Sequence, residues 1–301
     1  MGVKLSICVI TMNRAMQLKK ALASCLVCEL PPKTEFVIID NASTDNTESI
    51  VAETLGGCGF SYYYEKLPEN LGVGGGRNYA YEKACGEYTY MLDDDAVIDC
   101  ENDPRFFIKA IEMLEDNTDV VTLTTQIYDT AWQRNRLEVS GPVISNGLYK
   151  CLMFCGGSHF LRRSFYKNAP YLPNKYGYEE IPPSLEAMDT GKINAFCPEL
   201  LIIHKPAVDK WDWNDEKNHD LLIKGIALPY AIKRMMYPSI VAPLLWLANE
   251  VRIKRLGVKM ENGKKRIKEV KKTFMREYPI KKKIKLSTLI RIFSDFKLSV
   301  F

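Results

Sequence analysis

No apolar run in this 301-residue chain offers a membrane span: the apolar stretch at residues 237–248 has twelve residues and two prolines, against the roughly twenty that a spanning helix needs. The first residues pass from an apolar stretch of strand length directly into polar Thr11-Met12-Asn13-Arg14. With no long apolar core and no small-residue cleavage site, a secretory leader is not expected. The nine cysteines are an odd number, which fits a complete disulfide framework poorly. Cys25 and Cys28 stand three apart but no second pair follows, so a four-thiolate zinc site is excluded and buried thiols in a reducing compartment are expected. No internal repeat, low-complexity segment or nucleic-acid-binding motif is present.

What is present is a chain able to bury a core, 47% hydrophobic and 26% charged. Its net charge of +4 hides an asymmetry: residues 251–301 carry 17 Lys and Arg against 4 Asp and Glu, and residues 1–250 carry 24 against 33. The two parts face different partners.

Apolar strand-like runs at residues 4–10, 35–40, 62–65 and 88–92 alternate with helical spacing at 14–28, after Asn46 to about Leu55, and from Gly76 to about Ala84. A further helix at 105–116 and a strand at 120–125 follow, then an irregular stretch through Lys175. Alternation of this kind predicts an α/β fold with a mainly parallel sheet flanked by helices, and ligands at the carboxyl ends of the strands. Asp40 and the triplet Asp93-Asp94-Asp95 fall at such ends.

The triplet is the strongest chemical signal. A strand end followed by a turn aims carboxylates at one point and supplies hard oxygen ligands for Mg²⁺ or Mn²⁺. Gly72-Val73-Gly74-Gly75-Gly76-Arg77 fails as a dinucleotide fingerprint, because a frame begun at Gly72 meets Arg77 and one begun at Gly74 meets Tyr79. It predicts instead a glycine turn opening a helix, with Arg77 near the helix start and suited to a phosphate or ribose.

Residues 10–14 (ITMNR), 37–45 (VIIDNASTD), 70–78 (NLGVGGGRN) and 92–96 (LDDDA) together resemble the family-two glycosyltransferases, inverting enzymes of GT-A fold. Four motifs in order over about ninety residues carry the resemblance. It implies transfer of a sugar from a nucleotide-diphosphate donor, with Asp40 hydrogen-bonding the base and Asp93 and Asp95 as metal and diphosphate ligands. Thr11, Asn13, Arg14, Asn41, Asn70, Gly72, Arg77, Asn78 and Asp94 are the further donor-site candidates. Residues 156–163 (GGSHFLRR) are similar to the family's glycine-rich stretch before the acceptor loop, and Tyr178-Glu179-Glu180 sits where the family has Glu-Asp. That maps the general base onto Glu180, with Glu179 as the alternative. The family's following acid and arginine are replaced by Pro182 and Glu186, which marks an unusual acceptor pocket. His204 matches a histidine that completes the metal shell in many relatives.

The division expected is a catalytic domain over 1–220, its nucleotide-sugar half at 1–100 and its acceptor half at 101–220, followed by a helical, basic, membrane-associating region at 221–301. In the tail, apolar Ile284, Leu286, Leu289, Ile290, Ile292, Phe293, Phe296 and Leu298 interleave with lysines, a pattern that favours an anionic membrane over nucleic acid. A chain ended near Glu250 is expected to keep its fold. The expectation overall is a metal-dependent glycosyltransferase acting on a glycan or lipid-linked acceptor in surface polysaccharide synthesis, peripheral to the inner face of the cell membrane. A nucleotidyltransferase and a non-catalytic membrane-bound scaffold are the alternatives.

Overall fold

The computed structural model describes residues 2–206, 216–255 and 262–301. Residues 207–215, in the expected acceptor half, and 256–261, in the expected tail, lie outside the described residues. The alternation begins as the sequence implies: β1 (Leu5–Thr11), α1 (Ala15–Val27), β2 (Thr34–Asp40), α2 (Thr47–Leu55), β3 (Ser61–Lys66), α3 (Gly72–Lys83) and β4 (Tyr88–Asp93). Then come β5 (Ala96–Ile98), α4 (Phe106–Asp116), β6 (Val120–Asp129), β7 (Arg134–Asn135), β8 (Val143–Ser145), β9 (Leu148–Lys150) and β10 (Ser158–Arg162), so the stretch expected to be irregular carries short strands. Next are α5 (Ile181–Asp189), β11 (Ile193–His204), α6 (Glu216–Met236), a 3₁₀ turn at Ser239–Val241, α7 (Ala242–Arg255), α8 (Gly263–Glu277) and α9 (Leu286–Phe296).

The strands form one sheet in the order β3-β2-β1-β4-β10-β6-β11-β9-β8, with β5 also on β11 and β7 on β6. The first four strands are parallel and β10 runs antiparallel between β4 and β6. Helices cover both faces of the parallel part, so β1 and β2 are continuous apolar runs with almost every residue buried. Register sets the site: Thr11 lies opposite Asp40 on β2, and Ile10 opposite Asp93 on β4, so three strand ends finish level.

A bulge in β11 aligns the other side. Cys197 pairs with Thr125, yet Leu201 pairs with Gln126, so residues 198–200 loop out of register. That shift brings His204 opposite Asp129 on β6 and, through the antiparallel pairing with β5, opposite Ala96. Without the bulge His204 would run past both.

Two expectations need correction. Cys28, at the end of α1, is joined to Cys100 by a disulfide with Cα atoms 5.6 Å apart, while the seven other cysteines are free. The partners are 72 residues apart in sequence, and only the packing of α1 beside β5 brings them together. The tail, for its part, belongs to a core. Ile284, Leu289, Ile292 and Phe296 are buried in one cluster with Ile181, Leu185 and Met188 of α5 and Leu228, Ile232 and Met236 of α6. Tyr237 donates its hydroxyl to the Val300 carbonyl at 2.8 Å. Residues on both sides of position 220 share this cluster, and ending the chain near Glu250 would expose it. Phe296→Ala should cost about 3–5 kcal/mol of stability. Chemical denaturation measures this, and a loss under 1 kcal/mol would remove α9 from the core.

Candidate active site

The aligned strand ends open into a cleft of about 610 Å³, lined by Thr11, Arg14, Asn41, Asn70, Gly72, Arg77, the three aspartates, Glu179, Glu180 and His204 among others. Nearly all of the site residues expected from the sequence therefore meet there. Asn13, Asp40 and Asn78 stand outside the lining.

Asp93, Asp95 and His204 converge, with one ligand atom from each lying within 4.8 Å of the others. His204 Nε2 is 3.2 Å from Asp95 Oδ1, and its Nδ1 is 3.1 Å from Asp129 Oδ2. Asp129 is fully buried and accepts from Arg136 Nε at 2.8 Å and from the Ala131 and Trp132 amides. Nη2 of Arg136 also lies 3.0 Å from Nδ1, so the ring nitrogen faces both a donor and an acceptor; in the tautomer that donates Nδ1–H to Asp129, the Nε2 lone pair would be turned toward the aspartates. A carboxylate orienting a histidine is the arrangement found around metal-ligating histidines. Two carboxylates and an imidazole suit a divalent cation such as Mn²⁺ or Mg²⁺, so the residues present fit the group expected. Sequence reading missed Asp129 and Arg136. Asp129 did carry a signal, since like Asp40 and Asp93 it is an acid ending an apolar strand.

The triplet divides its work. Asp94 points back toward β1, accepting from Thr11 Oγ1 at 2.7 Å and Arg14 at 2.9 Å, and Arg14 also reaches Asp95 at 2.8 Å. Burial pushes the Asp94 carboxyl up to about 6 despite Arg14 and Thr11. Burial acts the same way on Asp93, but the Arg77 guanidinium, with His204 and Arg136, outweighs it and holds that carboxyl below the usual range.

Arg77 was expected to greet a phosphate at a helix start. It is instead 5% exposed, donating to Asp93 Oδ1 at 2.6 Å and bonded to Glu179. The glycines before it form the first turn of α3 rather than a turn preceding the helix. Gly72 has φ +76°, and a Cβ there would run into the Lys175 backbone. The run thus serves close packing against residues 172–175. Gly157 has a similar duty, since its Cβ would sit 2.8 Å from Asp93 Oδ2.

The two glutamates differ. Glu179 is 1% exposed and tied to Arg77, with Oε2 lacking a hydrogen-bond partner. Glu180 is half-buried at the cleft wall and precedes the first turn of α5, where Pro182 costs no hydrogen bond. Surrounding protein desolvates the Glu180 carboxyl and the Asp93 charge adds to this, so its pKa lies above the usual value although Arg77 opposes. Tyr178, just before them, takes φ +65°, a conformation held by its surroundings. Pro182 and Glu186, the departures from the family pattern, are respectively buried in α5 and facing Lys282 of the tail at 3.9 Å.

The remaining candidates act on the backbone. Asp40 is 1% exposed and accepts from the Ser43 amide at 2.7 Å and the Tyr64 hydroxyl at 2.9 Å, fixing the turn that presents Asn41. Asn13 accepts from the Thr44 amide at 2.7 Å, Asn70 from the Gly72 amide at 2.7 Å, and Asn78 clamps the Tyr171 backbone through both its amide atoms. His159 of β10 is fully buried between the Cys155 carbonyl and the Tyr171 hydroxyl.

Residues 6–168 match the profile of glycosyl transferase family 2, and the chain belongs to that family. Among solved structures it is similar to the S. aureus TarS fragment 1–349 in complex with UDP-GlcNAc, with a TM-score of 0.67 and 16% identity, over 92% of this chain and 82% of that one. It is similar too to the mannosyltransferase PcManGT from Pyrobaculum calidifontis in complex with GDP-Man and Mn²⁺, with a TM-score of 0.59 and 15% identity, over 99% of this chain and 85% of that one. The fold class is therefore GT-A, as expected. An uncharacterized protein of Haemophilus influenzae is 34% identical over 98 residues, 32% of this chain and 51% of that protein. The chain spans about half the length of this curated relative.

Proposed function

We propose that the chain is an inverting, metal-dependent glycosyltransferase that moves a sugar from a nucleotide-diphosphate donor to a hydroxyl of a glycan or lipid-linked acceptor in surface polysaccharide synthesis. The observation that carries this reading is the convergence of Asp93, Asp95 and His204 in one cleft with Glu180. A divalent cation held by Asp93, Asp95 and His204 would offset the charge building on the departing diphosphate. Thr11, Arg14, Asn41, Asn70 and Gly72 bound the donor side of the cleft, with Asp40, Asn13 and Asn78 setting its backbone from outside.

Glu180 is the base. It takes the proton from the acceptor hydroxyl as that oxygen bonds to the anomeric carbon. The carbon–oxygen bond to the diphosphate breaks with its electron pair on the diphosphate, and the configuration inverts. Glu179 is less suited, because its carboxylate is already held by Arg77. The test of this stereochemistry is proton NMR of the first product: opposite anomeric configuration to the donor is expected, and retention would sink the assignment. A base acts only when deprotonated, so its raised pKa shifts the acidic limb upward. The rate should fall as pH drops through a value above the ordinary 4.5. In Glu180→Gln any residual rate should lose that limb; an unchanged limb assigns the titration elsewhere.

Peripheral attachment to the inner face of the cell membrane is part of the same reading. No helix among the described residues is long and apolar enough to cross a membrane. Leu244, Leu247 and Val251 of α7 are exposed and share a helix face opposite buried Leu245, Asn249 and Ile253. Leu286, Ile290 and Phe293 form an exposed stripe on α9, and Lys283 reaches Ser239 at 2.9 Å, bringing the approach to α9 beside the start of α7. Exposed apolar side chains among basic residues suit an anionic lipid surface. Of the tail residues expected to face lipid, Ile284, Leu289, Ile292 and Phe296 are excluded by burial.

A further inference from the structure

A second cavity, of about 850 Å³, adjoins the donor cleft. Arg136, Cys155, Tyr176 and Tyr178 line both, so the two volumes meet at the wall that carries Glu180. On its far side the floor is apolar, made by Leu221, Leu222 and Ile226 of α6. Gly225 completes that floor, where a Cβ would sit 3.3 Å from the Tyr178 hydroxyl oxygen. The opening and its position next to the base are what an acceptor requires.

The charge of the cavity is unbalanced. Three arginines line it: Arg134 of β7, Arg136 and Arg252 of α7. Arg136 is committed to Asp129. Arg134 and Arg252 have no carboxylate partner among the described residues. The Trp132 ring holds the guanidinium carbons of Arg134 and Arg136 at 5.0 and 5.7 Å from its centroid, which fixes them at the wall. Lys233 of α6, itself buried, is pushed down to about 8 by burial and then by the Arg252 charge, so among the described residues the charge beside Arg252 is positive. A neutral sugar would leave these guanidiniums unpaired, whereas a phosphate accepts hydrogen bonds from both.

Resting on the glycosyltransferase reading, we infer that this cavity is the acceptor subsite and that it selects an acceptor carrying a phosphate group, bound by Arg134 and Arg252. Its two sources are the glycan itself and a lipid diphosphate, which the probes below distinguish. Arg252 directly follows Val251 of the exposed apolar face on α7, so an acceptor delivered from a lipid surface would meet this arginine at the boundary. In either case the shared chemistry is a phosphate beside a sugar.

The test is calorimetric titration of the full chain with three probes: N-acetylglucosamine, its 1-phosphate and its decyl diphosphate ester, all in EDTA so that no metal recruits phosphate to the aspartates. The 1-phosphate should bind at least tenfold more tightly than the neutral sugar. Arg134→Ala with Arg252→Ala should remove that advantage, and since both side chains are exposed, the thermal melt should be unchanged. A further gain for the decyl ester that adds to the arginine-dependent part identifies the lipid diphosphate as the source; equal binding of the two phosphorylated probes identifies the glycan. Equal affinity for neutral and phosphorylated sugar, absence of binding, or an advantage that survives the double variant overturns the inference. Mn²⁺-dependent hydrolysis of nucleotide sugars is measured in parallel. Its absence from the unsubstituted chain defeats the transferase reading, while its presence with phosphate-blind binding defeats only the subsite.

Discussion

Asp95→Asn should lower Mn²⁺-dependent turnover of a nucleotide-sugar donor by a thousandfold or more, about 4 kcal/mol of transition-state stabilisation. The asparagine keeps the shape and the oxygen that accepts from Arg14, but removes the charge that would face a divalent cation beside His204 Nε2. The sequence places Asp95 at an open strand end, where truncation to alanine would be harmless to the fold. The side chain is in fact 8% exposed, so the isosteric change is the one that separates chemistry from packing. The fold should tolerate it, because Asp95 raises the pKa of its neighbour Asp94 and its neutralisation relieves that repulsion. Turnover that persists in the folded variant with its metal dependence intact would remove Asp95 from the site.

Glu180→Gln should reduce transfer a hundredfold or more while donor affinity stays within a factor of two, since the amide retains size and reach but cannot take a proton. Glu179→Gln should have a different signature. It weakens a buried ion pair and leaves Arg77 with Asp93 alone, so stability should drop by about 2 kcal/mol. Steady-state kinetics and thermal melts on both variants read these separately. If the Glu179 variant is the folded but inactive one, the base is the first glutamate of the pair.

The parallel half of the fold was legible because β1, β2 and β4 are apolar runs that end in polar residues, and because register levels those ends. The triplet Asp93-Asp94-Asp95 could be singled out from its position at a strand end, and Asp93, Asp95 and His204 as candidate ligands from the resemblance. The partner that orients His204 could not. Asp129 and His204 are 75 residues apart, and their meeting depends on a β-bulge at 198–200 that no local pattern announces. The partners of Arg77, which lines the cleft, were hidden for a related reason. A basic residue after glycines suggests anion binding, whereas its actual partner, Glu179, lies 102 residues away. The disulfide escaped because Cys28 was weighed against Cys25, its neighbour in sequence, rather than against Cys100. In the tail, periodicity correctly found apolar residues on helices, but α9 has two apolar faces. One fills the cluster shared with α5 and the other is exposed, and a sequence does not say which neighbour claims which face.

The central claim is that the strand-end aspartates and His204 make this chain a metal-dependent sugar transferase. It is tested most directly by incubating the full chain with a panel of nucleotide-diphosphate sugars and following nucleoside diphosphate release. Release from at least one donor in Mn²⁺ or Mg²⁺, abolished by EDTA and restored by excess cation, is the result the account predicts. Release that is indifferent to EDTA, or no release from any donor with a phosphorylated sugar acceptor present, would contradict it.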